Sequence, residues 1–264
     1  MGAHDYFEVT DDMQAKDISF QWKAFEKLPM AEERLPFTVK VVQNDADLWK
    51  AVRIRHAAYG RHVPELAQLL RVPEFYDREQ GSVVLLAESK LDGTPVGTMR
   101  IQTNRQGKLG LEDSVVLPEW LQDKSLAEAS RLGVSDGGTG RVPKTMLFKA
   151  YFDYCVKEEI DWMVITARAP LDRQYEALLF KDVFPGGAFI PMHHVGNIPH
   201  RVMAFEVATA ESRWAAAHHP LFDFVFRTHH PDIDVSVRNS SLSENLMRQL
   251  PISNRIGAGL SIAS

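Results

Sequence analysis

The chain has 264 residues, 45% of them hydrophobic and 25% charged, with a formal net charge of -5. That composition is ordinary for a globular protein, and the length is enough to bury a full core without disulfide staples. The charge balance shows no global basic excess, which argues against nucleic acid as a partner. The single cysteine, Cys155, has no partner for an internal disulfide, and with nine methionines it fits a reducing compartment. The opening MGAHDYFEVTDDMQAKD is polar and acidic, unlike a signal peptide. It begins Met-Gly, but Tyr6 stands where a myristoylation signal needs Ser or Thr. No apolar run approaches the ~20 residues that span a bilayer. The expectation is a soluble cytoplasmic protein without a transmembrane segment, its oligomeric state left open.

Residues 1–35 are charged and weakly periodic; a short helix around FQWKAFEKL is the one element they suggest. FTVKVVQN (37–44) alternates and is rich in β-formers, which predicts a strand. DADLWKAVRIRHAAYGRHV (45–63) places Leu48, Ala51, Val52, Ile54 and Ala58 at helical spacing, with Asp45 or Asp47 as N-cap. SVVLLAES (82–89) and VGTMRIQTN (96–104) are strands around the Asp-Gly turn of LDGTP, so they form a hairpin. AEASRLGV (127–134) ends like a strand yet carries Glu128, Ser130 and Arg131. A glycine-rich turn, SDGGTGRVPKT, leads into an amphipathic helix over 145–159. DWMVITAR (161–168) is a strand, LDRQYEALLFKDV (171–183) a helix with Pro170 at its start, and RVMAFEVAT (201–209) a strand. ESRWAAAHHPLFDFVFRTHH has room for a further helix, and LPISNRIGAGLSIAS reads as a flexible tail. Helices alternate with strands after an early hairpin, which implies an α/β fold with a mixed sheet and helices on its faces. The organisation this gives is an N-terminal extension (1–35), one domain (36–210) and a C-terminal extension with a flexible tail (211–264).

These pieces resemble the GNAT acyltransferase superfamily. RLGVSDGGTG followed by TMLFKAYF is similar to its strand, glycine-rich turn and phosphate-holding helix, and RQYEALLF to its fourth-helix signature, with Tyr175 and Phe180. Within the superfamily the likeness is to N-acyl amino acid synthases and acyl-homoserine-lactone autoinducer synthases. It runs through four pieces: RIRHAAYG with Arg55 and Tyr59, EFYDREQGSVVLLAE with Asp77, VGTMRIQT with Arg100, and EASRLGV with Glu128 and Arg131. It covers roughly residues 37 to 209, and NIPHRVMAFEV leans toward the acyl amino acid branch. The resemblance implies a central mixed, partly splayed β-sheet flanked by helices. It also implies transfer of a medium or long fatty acyl group from a thioester to the amine of an amino acid or similar acceptor, with no bound cofactor. GGTGR lacks the Arg/Gln-x-x-Gly-x-Gly/Ala spacing of acetyl-CoA users, which fits a donor carried on acyl carrier protein better than one on CoA.

Amide formation from a thioester needs a deprotonated amine, stabilisation of the developing oxyanion and a proton for the leaving thiol. Glu128 is the candidate base, acting through a water. In a regular strand Glu128, Ser130, Leu132 and Val134 share one face and Arg131 takes the other; a bulge near Ser130 would change that and bare backbone N–H groups to the carbonyl oxygen. The alternative is that Glu128 and Arg131 pair with Arg55, Asp77 or Arg100 to order a loop. Arg55, Asp77, Arg100, Ser130 and Arg131 are the candidate acceptor site, with a bidentate arginine on the acceptor's carboxylate; a salt-bridged scaffold is the other reading. Tyr175 is the candidate proton donor, or simply a core or rim tyrosine. Gly138 and Gly140 suit a pantetheine phosphate cradle, or a plain loop. Arg141, Lys144 and Lys149 suit the acidic face of a carrier protein, or a solvated helix end. Met99, Met146 and Phe148 are guesses for the acyl tunnel. The pairs His193-His194, His218-His219 and His229-His230 lack metal-ligand spacing, so no metal is expected, and Cys155 reads as core. Two rival readings remain: an acyl-homoserine-lactone synthase using S-adenosylmethionine, and a non-catalytic protein binding an acyl chain or a partner.

Overall fold

The computed structural model describes residues 30–136 and 141–237. In chain order the elements are β1 (Ala31–Glu32), β2 (Phe37–Val41), α1 (Asp45–Gly60), α2 (Pro64–Leu69), β3 (Ser82–Ser89), β4 (Pro95–Thr103), α3 (Glu119–Gln122), β5 (Leu126–Val134) and α4 (Arg141–Lys157). They continue as β6 (Trp162–Ala167), α5 (Asp172–Ala177), β7 (Lys181–Asp182), β8 (Ile190–Met192), β9 (Ile198–Glu206), α6 (Ala210–Ala216), β10 (Thr228–His229) and β11 (Ile233–Asp234). The main sheet runs β11-β2-β3-β4-β5-β6-β9-β7, with β8 added to β9, while β1 and β10 form a small pair apart. The sheet is mixed: β3 and β4 are the expected antiparallel hairpin, and β5 and β6 run parallel across the α4 connection.

Alternation along the strands divides the core between the two faces. Val84 and Leu86 of β3 pack with Leu48 and Ala51 of α1 on one side. Val83, Leu85, Met99, Ile101, Ala127 and Ala129 pack with Leu147, Tyr151 and Cys155 of α4 on the other. Helix α1 approaches β5 closely, since a Cβ on Gly133 would lie 3.2 Å from the Arg55 Cα. Few side chains pack that tightly, so glycine here lets α1 seat Arg55 close over the sheet.

Several expectations need correction. The N-cap of α1 is Asn44, whose side chain accepts from the Asp47 amide at 2.9 Å; Asp47 instead joins Lys40 and Lys50 in ion pairs. The helix expected over 171–183 stops at Ala177. Leu179 takes a left-handed φ of 66°, and Arg213 and Trp214 of α6 donate to the Leu179 and Leu178 carbonyls. The chain is then free to send Phe180 into the core and Lys181–Asp182 into the sheet beside β9. Residues beyond 210 are part of the same body: Trp214 is fully buried, stacked on Phe148, and β11 pairs with β2. The expected helix around FQWKAFEKL and the tail LPISNRIGAGLSIAS lie outside the described residues. No helix among the described residues is long and apolar enough to cross a membrane.

Candidate active site

The sheet opens between β5 and β6. Their pairing covers Leu126 to Ala129 against Trp162 to Ile165 and then ceases, while β5 continues along β4 to Val134 and β6 continues along β9 to Ala167. From Ser130 onward the edge of β5 that faces β6 has no strand partner. The gap is a cleft of about 190 Å3 whose walls include Tyr59, Val63, Leu66, Ser130, Arg131, Leu132, Thr166, Leu171, Tyr175 and His200.

A bulge sets the side-chain order here. Between the pairs Arg100–Ser130 and Thr98–Gly133, β5 carries one more residue than β4, and Arg131 has a φ of 56°. Positive φ is costly for a residue with a Cβ. The regular alternation expected for 128–134 therefore does not hold. Glu128 and Ser130 share one face as expected, the α1 side. Arg131 joins that side, and Leu132 and Val134 turn to the α4 side, where they pack on the core.

The polar residues under the cleft form one network. Arg55 grips Asp77 through two bonds of 2.8 and 2.6 Å. Arg131 grips Glu74 through two bonds of 2.7 Å and also donates to the His194 carbonyl at 2.8 Å. Arg100 bridges Glu74 at 3.1 Å and Asp77 at 3.4 Å. The carboxylates are held by a turn over Phe75–Asp77 in which the Glu74 amide donates to Asp77. Burial pushes both carboxyls up, but the hydrogen bonds and charge of the arginines win and hold Glu74 and Asp77 below the usual carboxylate range. Three guanidiniums face two carboxylates, so the network carries one positive charge in excess.

Glu128 lies beside this network, 1% exposed. Its Oε2 accepts from the Leu111 amide at 3.1 Å, and its Oε1 has no hydrogen-bond partner. Burial pushes its carboxyl up to about 7, against the pull of the Leu111 amide and the charges of Arg100 and Arg131. A carboxyl with that proton affinity is half ionised near neutral pH, as a general base requires. His194 places Nε2 3.7 Å from Glu128 Oε1 and 3.4 Å from Thr166 Oγ1. Burial, and next the Arg131 charge, lower its imidazole to about 3, so the ring is neutral.

Of the expected residues Ser130 and Arg131 line the cleft, while Arg55, Asp77 and Arg100 lie behind it in the network that holds Arg131, with Glu128 beside them. The guanidinium faces of Arg55 and Arg131 expected to clamp an acceptor are closed on Asp77 and Glu74; Arg55 Nε, Arg100 Nε and Arg131 Nη1 remain as buried donors without a partner, and of these residues only Arg131 lines the cleft. Tyr175 lines the cleft and meets Phe180 edge to face at 5.6 Å. Burial of its hydroxyl, and then Tyr59, pushes its pKa well up. Lys144 lines the cleft and donates to Gln174 at 2.8 Å. Gly138 and Gly140 lie outside the described residues, as does the side chain of Arg141. Lys149 is buried and donates to the Val225 carbonyl at 2.7 Å, so it faces the core and not a carrier protein. Met99, Met146 and Phe148 are core residues and do not line the cleft; Leu132, Val134, Ala167 and Leu171 do.

Three residues of the site carry no clear mark in the sequence: Glu74, His194 and Thr166. Glu74 stands in EFYD three residues before Asp77, a spacing that a short acidic turn could have suggested. His194 was weighed only as half of a histidine pair, and no local pattern marks it. Among the described residues no three His, Cys, Asp or Glu side chains form a metal-holding group.

The mixed sheet, its splay and its flanking helices define the fold of the GNAT acyltransferases. The solved structure of FeeM, an N-acyl amino acid synthase from uncultured soil microbes, matches with a TM-score of 0.54 at 17% identity, over 69% of this chain and 96% of that one. A CoA-dependent acyl-homoserine lactone synthase, BjaI, matches with a TM-score of 0.49 at 15% identity, over 80% of this chain and 99% of that one. No protein-family profile and no curated protein sequence matches. The match to FeeM shows that the chain has this GNAT-like fold.

Proposed function

We propose that this protein is an N-acyltransferase. It moves a medium or long fatty acyl group from an acyl thioester, carried on acyl carrier protein, to the amino group of an amino acid or similar small amine. The observation that carries this reading is the splayed β5–β6 cleft with Glu128, a carboxyl of raised proton affinity, buried behind its wall. The donor's thioester lies along the unpaired edge of β5, whose free backbone N–H groups stabilise the oxyanion. Its acyl chain packs on Leu132, Val134, Ala167 and Leu171. The acceptor's carboxylate meets the excess positive charge of the arginine network at Arg131 Nη1, beside Ser130. Glu128 takes the proton of the acceptor ammonium, the free amine attacks the carbonyl carbon, and the C–S bond breaks. Tyr175, whose hydroxyl stays protonated throughout the physiological range, gives the departing thiolate its proton and is restored by the second proton that the acceptor nitrogen loses as the amide forms. Lys144, which lines the cleft, meets the pantetheine arm, and Gly138, Gly140 and Arg141 stand just before it in the sequence.

Purified protein incubated with dodecanoyl-acyl carrier protein or dodecanoyl-CoA, and the twenty amino acids, tests this by thiol release. Amino acid-dependent release is expected, faster from the carrier protein. Release that ignores the amino acids, or none, would remove the reading. N-acyl-homoserine lactone formed only with S-adenosylmethionine would replace the acceptor.

A further inference from the structure

We infer that His194 is the proton bridge between Glu128 and the cleft, with Thr166 as its outlet. This rests on the acyl-transfer reading above and names the path that reading lacks.

Glu128 is not part of the cleft wall, whereas Thr166 is. One imidazole atom, His194 Nε2, stands between them, 3.4 Å from Thr166 Oγ1 and 3.7 Å from Glu128 Oε1. Both Glu128 Oε1 and His194 Nδ1 are buried without a hydrogen-bond partner. Separations of this size shorten into hydrogen bonds when a site is loaded. The backbone at His194 is held independently of its side-chain chemistry, because its carbonyl accepts from Arg131 Nη2. The charged groups facing the bridge are Glu128 and Arg131 on β5, Arg100 on β4, Glu74 on the turn before β3, and His200 on β9.

The proton balance is simple. The bridge requires the neutral His194 tautomer with its proton on Nδ1. The acceptor ammonium gives a proton to Thr166 Oγ1, which passes its own hydroxyl proton to Nε2. The transient imidazolium then passes the Nε2 proton to Glu128 Oε1. Threonine and histidine return to their resting forms, the amine is free, and Glu128 is the neutral acid. The depressed basicity of His194 keeps the imidazolium short-lived, so the proton does not stop there. His194 and Thr166 thus act on either side of a single transfer.

Thiol release from dodecanoyl-acyl carrier protein with the twenty amino acids, across pH 5 to 9, tests this in the intact chain. His194→Gln keeps the backbone bond to Arg131, and its kcat/KM is expected to fall by roughly 100-fold or more, with little change in KM. The rise in rate near pH 7 should flatten. Thr166→Val is expected to lose activity in the same way, and Thr166→Ser to recover most of it. Parent rates and an unchanged pH profile in His194→Gln or Thr166→Val, with Glu128→Gln inactive, would overturn the bridge and leave the base reading standing. A fully active Glu128→Gln would overturn both. Nitrogen NMR of His194 in the free protein at pH 8 gives a readout without turnover. A proton on Nδ1 is expected, and a proton on Nε2 would rule out the transfer as written.

Discussion

Replacing Glu128 by glutamine should raise stability while removing activity, and the size of the gain should depend on pH. In the folded chain the carboxyl titrates at about 7 rather than at its ordinary 4.5, because burial disfavours the charged form. The sign follows from linkage. Below pH 4.5 the group is neutral in both states and costs nothing. As pH rises from 4.5 to 7 the unfolded chain sheds the proton first, so stability falls. Above about pH 7.5 the full penalty is present. At about 1.36 kcal/mol per pKa unit it amounts to roughly 3 kcal/mol. Glutamine keeps an acceptor for the Leu111 amide and carries no charge to desolvate. Glu128→Gln should therefore be more stable than the parent by roughly 3 kcal/mol at pH 8, on the order of 10 °C in Tm for a domain of this size. The difference should shrink toward zero by pH 4.5. Urea unfolding of both proteins from pH 4.5 to 8.5 measures it. A stability difference that is constant across that range would refute the raised proton affinity, and with it the physical basis for Glu128 as base.

The arginine network should resist acid for the opposite reason. Glu74 and Asp77 are held below the usual carboxylate range, so their contribution is complete above pH ~4.5 and is lost as pH falls through their folded pKa values. Asp77→Ala strips the buried Arg55 of its bidentate partner, leaving it only Glu74 at 3.3 Å, and should destabilise by about 3 kcal/mol, read by urea midpoint at pH 7; a loss below about 1 kcal/mol would mean that the network does not hold the site. Trp214→Ala should cost about 3–5 kcal/mol in the same assay, because the indole is fully buried against Phe148 and Phe205; a surface-like effect would detach residues beyond 210 from the domain. Tyr175→Phe should fold normally and lower thiol release by about 100-fold, and parent rates would reassign the tyrosine to packing.

The fold was legible where periodicity and turn chemistry agreed. The β3–β4 hairpin follows from two apolar runs flanking Asp-Gly, and α1 from apolar residues at helical spacing. The end of α5 was not legible, because carbonyls at 178 and 179 are satisfied by Arg213 and Trp214, more than thirty residues along the chain. A bulge near Ser130 could be named from the sequence as a possibility, but neither its occurrence nor its seat at Arg131 could be read there. It depends on how β5 registers against β4, and a strand's local pattern holds no information about its partner. The site divides in the same way. Glu128, Arg131, Arg100, Arg55 and Asp77 stand in stretches whose polar residues interrupt an apolar pattern. His194 and Thr166 join them only through the packing of the 193–195 turn against β6. The misplacement of Lys149 has a similar cause: a lysine on an amphipathic helix reads as solvated, yet here the Val225 carbonyl and Asp153 hold its ammonium inside.

The central claim is that the β5–β6 cleft joins an acyl thioester to an amine. Mass spectrometry of lipid extracts from cells expressing the parent protein, beside cells expressing soluble, folded Glu128→Gln, tests it most directly. The account predicts new N-acyl amino acids or related amides with the parent and none with the variant, and their masses would name both chain and acceptor. The same acylated products from both proteins, or none from either, would contradict it.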